Sequence, residues 1–387
     1  MIIVASNWAI GDGTLVSAAP SSIGGLAATM HRAAIRAGVG TDGGYRPIER
    51  LDVVLAGDTF EWLVSAEWLG DTKPWHASAR SLDRLARVAR RSIRLGRAVL
   101  APLAAWARRG LPVPTSMSRG GRRCSVAVPV RVTLLAGDRD AAVERVLGGR
   151  RAVTVGRRWD DGRVSIRHGH DRDPVCRAVS GRADTDRPPT LAESVAVDLV
   201  ARFAAPLAGR GPRVAGQLRR LAEAGVVGIP AVVAGWQGAL EGGAEEVGLR
   251  DAWSRSVEGW WREARRCVPT CELEFDAVDA LASWLATAMR PGAEVCPIAA
   301  GLAAVVAAPS RGGPGVVEGH SGGVGLHGAL GLAGGEPGVG PPLAACVNDR
   351  GWPRWQLIAA GVDAAPIVAI RPQAVPAHPD RRVVDAA

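Results

Sequence analysis

Leu51-Asp52-Val53-Val54-Leu55-Ala56-Gly57-Asp58-Thr59-Phe60-Glu61-Trp62 is the stretch that decides how this chain is read. The apolar run over 51–56 reads as a strand, and Gly57 turns the chain at its end. Asp58 is thereby delivered to the carboxyl end of a strand, which is where open α/β sheets gather their ligands. A Gly-Asp pair also fits a simple strand-to-loop turn. The Phe60-Glu61-Trp62 that follows tips the reading towards function.

Three further segments repeat the design, a short acidic or histidine motif placed after an apolar run. They are Leu135-Ala136-Gly137-Asp138-Arg139-Asp140, His168-Gly169-His170-Asp171-Arg172-Asp173-Pro174 and Gly319-His320-Ser321-Gly322. Carboxylates and imidazoles gathered from several strand ends are what metal-dependent phosphoester hydrolysis needs. Val126 to Leu135, interrupted by Pro129, is the strand that presents Asp138 to Asp140, and a surface acidic turn is the equally simple alternative there. Arg163 to Arg167 alternates like a strand and ends at His168, the better ligand of its motif. His170, Asp171 and Asp173 are expected to orient it.

In this order the motifs resemble the calcineurin-like metallophosphoesterase superfamily, nearest its UDP-2,3-diacylglucosamine hydrolase-like branch. There Gly-Asp-x-Phe-Glu-x-Trp and His-Gly-His-x-x-Asp segments are familiar. The resemblance runs from the first residues to about Gly322, loosely in the middle. It implies an α/β fold, a metallophosphoesterase-like two-sheet sandwich flanked by helices. It divides the chain into a discontinuous domain over 1–180 and 295–372 and a helical insertion or cap over 190–290.

The departures from the family pattern are selective. Asn7 and Ala9 stand where the family has the Asp and His of its first motif, and Gly322 stands where it has its last His. Asp138 and Arg139 replace an Asn-His pair. By the resemblance, one metal loses every strong ligand except the shared Asp58. The other keeps Asp58, Asp138, His168 and His320 as expected ligands. Two carboxylates and two imidazoles suit Mn, Fe or Zn better than Ca or Mg. Arg139 and Asp140 are the expected catalytic residues. Arg139 would grip a phosphate oxygen with its guanidinium fork, because its pKa is too high for a general acid. His327 competes with His320 for assignment. The expected substrate is a phosphorylated small molecule or a lipid-like phosphoester. The alternative is a catalytically inactive member kept as a binding or regulatory module.

Composition narrows the classes. The chain has 387 residues, 47% of them apolar, enough for a large core. Its net charge of +9 comes almost entirely from scattered arginines, with Lys73 the only lysine, and reads as compositional bias at surface positions. Nucleic acid is therefore an unlikely partner, and attraction to an acidic membrane surface or an anionic substrate is the better expectation. The six cysteines show no C-x-x-C pair and read as buried thiols in a reducing cytosol. No signal peptide or apolar stretch of spanning length is visible, so the expected location is cytoplasmic, with peripheral membrane contact open.

Elsewhere, Ile2 to Ala5 reads as the first strand and Ile23 to Ala37 as a helix ended by Gly38. Ser78 to Arg109 has helical apolar spacing, split at Gly96 and Pro102, and 110–121 reads as a loop. Residues 177–189 read as a linker. Thr190 with Glu193 forms a capping box that opens a mostly helical region to Arg290, whose tryptophans are expected in its core. Gly301 to Ala308 reads as a helix. Gly315 to Glu318, Arg354 to Ile358 and Ile367 to Ile370 read as strands, followed by a loose tail.

Overall fold

The computed structural model describes residues 1–6, 8–16, 25–40, 42–116, 124–149, 153–161, 164–170, 176, 187–237, 244–267, 275–287, 315–318, 325–327, 355–360 and 367–372. In chain order the first half comprises β1 (Ile2–Ala5), β2 (Ile10–Gly11), α1 (Leu26–Ala37), β3 (Leu51–Ala56), β4 (Phe60–Glu61), α2 (Ala79–Leu95) and α3 (Arg97–Arg109). It continues through β5 (Leu111–Pro114), β6 (Ser125–Val128), β7 (Val130–Leu135), α4 (Val143–Leu147), β8 (Thr154–Gly156), β9 (Arg158–Asp160) and β10 (Val164–Arg167). The helical region follows as α5 (Leu191–Ser194), α6 (Arg202–Ala204), α7 (Pro212–Glu223), α8 (Gly225–Gln237), α9 (Ala244–Cys267) and α10 (Phe275–Thr287). Strands β11 (Gly315–Glu318), β12 (Gly325–His327), β13 (Trp355–Ala360) and β14 (Ile367–Pro372) complete it.

The chain is mixed α/β. Strands β1, β3, β7 and β8 lie side by side in parallel, with Ile3 opposite Val53, Val53 opposite Val132 and Leu134 opposite Val155. β14 pairs antiparallel with the free edge of β1 and β13 with β14, giving the order β13-β14-β1-β3-β7-β8. All six residues of β3 are buried, as a central parallel strand covered on both faces requires. One face packs Ile3, Val53, Leu55, Val132 and Leu134 against Leu26 and Met30 of α1, Leu85 and Val88 of α2, and Val99 and Leu103 of α3. Towards the other face lies a second sheet of order β12-β11-β10-β9, with β10 beside β3 and β9 beside β7.

Several local boundaries differ from the sequence expectations for identifiable reasons. Ser78 caps α2 by accepting the Ser81 N–H at 3.2 Å, and Gly96 ends it. A Cβ on Gly96 would lie 2.8 Å from Ile10 Cδ1, so the glycine also lets β2 approach the bend. Pro102 does not break α3, which runs on to Arg109 with one backbone donor fewer. Residues 111–114, expected as loop, form β5 in a two-stranded hairpin with β6; Leu111 and Val113 point inward while the prolines take the alternate positions. β8 and β9 carry too little apolar pattern to be read from sequence. Cys176 is buried but Cys124 is exposed, which corrects the expectation of uniformly buried thiols. The stretches 177–186, 301–308 and the tail beyond 372 lie outside the described residues.

The helical region has its own core. Thr190 and Glu193 form the complete reciprocal capping box, and Arg187 grips the Glu193 carboxylate from outside. The helix then continues through seven π-helical residues, Val195–Ala201, into α6. This run presents Val197 to the sheet-side core and Val195, Leu199 and Phe203 to the helical one. Trp236, Trp253 and Trp260 are buried there, so these three tryptophans are core residues as expected. Phe203 meets the Trp253 ring edge-on with centroids 5.1 Å apart. Asp198, on the π-helical turn, takes the Lys73 ammonium at 2.7 Å and the Arg202 guanidinium at 3.0 Å, tying the two parts of the chain together. No helix among the described residues is long and apolar enough to cross a membrane.

Candidate metal centre

Three carboxyl ends meet. Asp58 follows β3, Asp138 follows β7 and His168 follows β10, so residues 110 positions apart in sequence come together where β3 and β10 lie against each other. The turn after β3 is tightly constrained. Gly57 has φ +87° and Asp58 itself sits at φ +49°, a left-handed conformation that costs a non-glycine residue about 1–3 kcal/mol. The loop after β1 helps to hold it. The Ala9 N–H donates to the Asp58 carbonyl at 3.0 Å and the Ile10 N–H to the Thr59 carbonyl at 3.1 Å, with Ala9 also left-handed at φ +46°. Strained backbone persists where the surroundings over-determine it, and functional sites are where it collects.

His168 is the centre of the cluster. Its ring is buried, and Nδ1 lies 2.8 Å from the Ala56 carbonyl, which can only accept, so Nδ1 carries a proton. Nε2 then faces the Asp138 Oδ1 at 3.0 Å and the Asp58 Oδ2 at 3.3 Å. Burial opposes a charged ring, but Asp58 and Asp138 outweigh it and raise the His168 pKa well above the usual histidine value. His170 lies next to it, with ring centroids 5.3 Å apart.

Asp138, His168 and His170 each offer a ligand atom, all within 4.8 Å of one another. Donors at about 2.1 Å from a common ion lie about 3–4 Å apart, so this set fits one divalent cation after a small contraction. The tautomer fits too, because a metal-binding imidazole usually donates its other N–H to a carbonyl or carboxylate. Asp58 adds a further carboxylate oxygen, Oδ2, 3.3 Å from Nε2.

Arg139 is placed inward. Its backbone N–H donates to Asp58 Oδ1 at 3.1 Å, and its Nε lies 3.6 Å from Asp58 Oδ2. Its Nη1 donates to the Glu61 carboxylate and to the Ala222 carbonyl in the last turn of α7. Burial works against the guanidinium charge, yet Glu61, Asp58 and Asp138 hold its pKa above the ordinary value. Glu61 is itself fully buried; its Oε1 accepts the Leu63 and Val64 N–H groups at 3.1 Å each, and burial raises its pKa against the pull of Arg139. Asp140 also faces inward, accepting the Gly137 N–H at 2.7 Å and the Phe60 N–H at 3.1 Å. Burial and the neighbouring Asp58 push its pKa up to about 7, partly offset by those N–H groups. Asp140 thus stitches the loop after β7 to the loop after β3.

Of the expected ligands, Asp58, Asp138 and His168 are brought together. His170, expected to orient His168, stands within the ligand group itself. Asn7, Asp171, Asp173, His320 and Gly322 lie outside the described residues. The backbone of β11 nonetheless runs parallel to β10 with Glu318 opposite Arg167, two residues before His320. His327 ends β12 opposite Val316, towards the other end of that strand. Sequence reading missed the part played by Glu61. The available signal was a glutamate flanked by Phe60 and Trp62, both buried aromatics, which has to find a cation.

Compared with protein-family models, with curated proteins and with solved structures, the chain has no match.

Proposed function

We propose that this chain is a metal-dependent phosphoester hydrolase-like protein on a metallophosphoesterase-like fold, with one of the family's two metal sites lost. The observation that supports this best is the convergence on His168 Nε2 of Asp138 and Asp58, carried by the carboxyl ends of three strands. Asp138, His168 and His170 would hold the ion, with Asp58 as a further carboxylate and His320 as the ligand expected from sequence. The nitrogen and oxygen donors suit Mn, Fe or Zn. A bound ion would supply Lewis acidity and a water of lowered pKa. The chain's own residues do the rest. Ala56 fixes the His168 tautomer, the left-handed turn aims Asp58, and Asp140 holds the two acidic loops in register. Arg139 offsets part of the acidic charge beside the centre, which lessens its repulsion of an anionic ester. The substrate class remains a phosphorylated small molecule or lipid-like phosphoester.

The test is manganese-dependent hydrolysis of a chromogenic phosphodiester by purified protein, with His168→Ala as the control. Metal-dependent turnover that the substitution abolishes supports the reading. The second reading is an inactive binding or regulatory module, and it is favoured by one observation: the Arg139 fork is already taken by Glu61 and Ala222. Stoichiometric metal binding without turnover on any phosphoester tried is the outcome that selects it.

A further inference from the structure

We infer that Arg139 is a built-in cation that stands in for a second metal ion, so that the centre takes one divalent ion and no more. This rests on the metal-centre reading above and adds why the second ion is excluded. A carboxylate that bridges two ions must offer an open lone pair on each side. Asp58 does not. Its Oδ1 accepts the Arg139 backbone N–H at 3.1 Å, and its Oδ2 lies between His168 Nε2 at 3.3 Å and Arg139 Nε at 3.6 Å. One side of the carboxylate faces the ligand cluster, and the other faces a guanidinium.

The guanidinium cannot be vacated cheaply. Its side chain is 12% exposed and Glu61 beside it is 1% exposed. Glu61 uses Oε1 on two backbone N–H groups, which leaves Oε2 for Arg139. The Ala222 carbonyl, in the last turn of α7, accepts a further guanidinium N–H. Buried carboxylates stay charged only beside a cation, and Arg139 supplies that charge to Asp58 and Glu61 together. An arginine cannot be deprotonated at working pH, so this charge is permanent and independent of metal supply. A divalent ion on the same side of Asp58 would meet it at close range in a water-poor setting, where like charges repel strongly.

The complementary expectation is that removing the charge opens the second site. Without Arg139, Asp58 Oδ2 and Glu61 Oε2 lose the cation they share and border the space it vacates, a hard-oxygen pair of the kind that divalent ions bind.

The experiment is manganese binding to the full chain, by calorimetric titration and by metal analysis after gel filtration. Wild type is expected to bind one ion, Arg139→Met two, and Arg139→Lys one, because lysine keeps the charge. Arg139→Met with Glu61→Gln is expected to return to one. Should Arg139→Met fail to fold, Arg139→Gln keeps hydrogen bonds to Glu61 without the charge and carries the same expectation of two. One ion in both uncharged variants overturns the inference, as does two ions in wild type. No ion in a folded wild type overturns the metal-centre reading itself, and this inference with it.

Discussion

Substituting Gly57 by alanine separates the site's two structural demands, and two other glycines serve as its controls. Gly57 has φ +87°, and a Cβ there would lie 2.4 Å from His168 Cγ and Nδ1. Holding an alanine in the left-handed region costs about 1–2 kcal/mol. The His168 ring is buried, so overpacking adds about 1–3 kcal/mol. Turning the ring away loses the Nδ1–Ala56 hydrogen bond, about 1 kcal/mol more. Gly57→Ala should therefore destabilise by about 3–6 kcal/mol. Gly209, at φ +83° with nothing within 4 Å of a built Cβ, pays only the backbone term when replaced by alanine, about 1 kcal/mol. Gly137 pays only the steric term: its Cβ would lie 2.1 Å from Asp58 Oδ1 and 2.5 Å from the Asp58 N, for about 1–3 kcal/mol. Guanidinium denaturation at unchanged slope measures all three. Manganese titration should in addition show affinity falling by about 10–100-fold for Gly57→Ala and not for Gly209→Ala, because the imidazole loses its orienting carbonyl. Gly57→Ala no less stable than Gly209→Ala would refute the packing of His168 against the β3 turn.

Other perturbations test the frame around the site. Lys73→Met removes the buried cation facing Asp198, whose remaining partner Arg202 is more exposed, and should cost about 2 kcal/mol by chemical denaturation. Thr190→Ala takes away the Glu193 N–H acceptor that opens the helical region and should cost about 1 kcal/mol, measured the same way. Glu67 accepts Arg87 at 3.0 Å and Arg91 at 2.8 Å, and these arginines hold its pKa below the usual 4.5. A depressed folded-state pKa contributes stability that is complete above the unfolded value and is lost as pH falls through the folded one. Unfolding free energy should accordingly decline less steeply from about pH 6 to about pH 3 in Glu67→Gln than in wild type, and equal slopes would remove Glu67 from the account.

The legible parts of this chain are those where one short-range signal suffices. β3 runs over the six residues read as a strand, because a doubly covered strand is nearly continuous in apolar residues, and its one charged member, Asp52, is paired with Arg50 at the strand's start. The Thr190 cap forms as its spacing dictates, since both hydrogen bonds close within four residues. Gly96 and Pro102 look alike as helix breakers, yet only Gly96 ends a helix, and what distinguishes it is Ile10 packed on its missing side chain. That contact is tertiary, and no local pattern encodes it. The site divides the same way. Asp58, Asp138 and His168 each follow a recognisable strand, so their convergence follows from strand ends sharing one edge of the fold. Arg139 reads in the sequence as a fork open to phosphate because its partners, Glu61 and the Ala222 carbonyl, are 78 and 83 residues away. A side chain's free valence is settled by whatever packs over it, which sequence spacing does not reveal.

The pairing of β1 with β14 has a consequence for how the chain is made. Ile2 is opposite Ile370, while β1's other neighbour, β3, follows it by only some fifty residues. At about 5–20 residues per second, about 20–70 s pass between the emergence of β1 and that of β14. Throughout that interval the nascent sheet offers an open edge of Ile2, Ile3 and Val4, apolar and uncharged, to any other extended chain nearby. Such non-local closure is slow even after release, because the ends of a long loop must meet before any contact rewards them. Production of this protein should therefore be limited less by the stability of the finished fold than by what shields its first strand until the last one arrives.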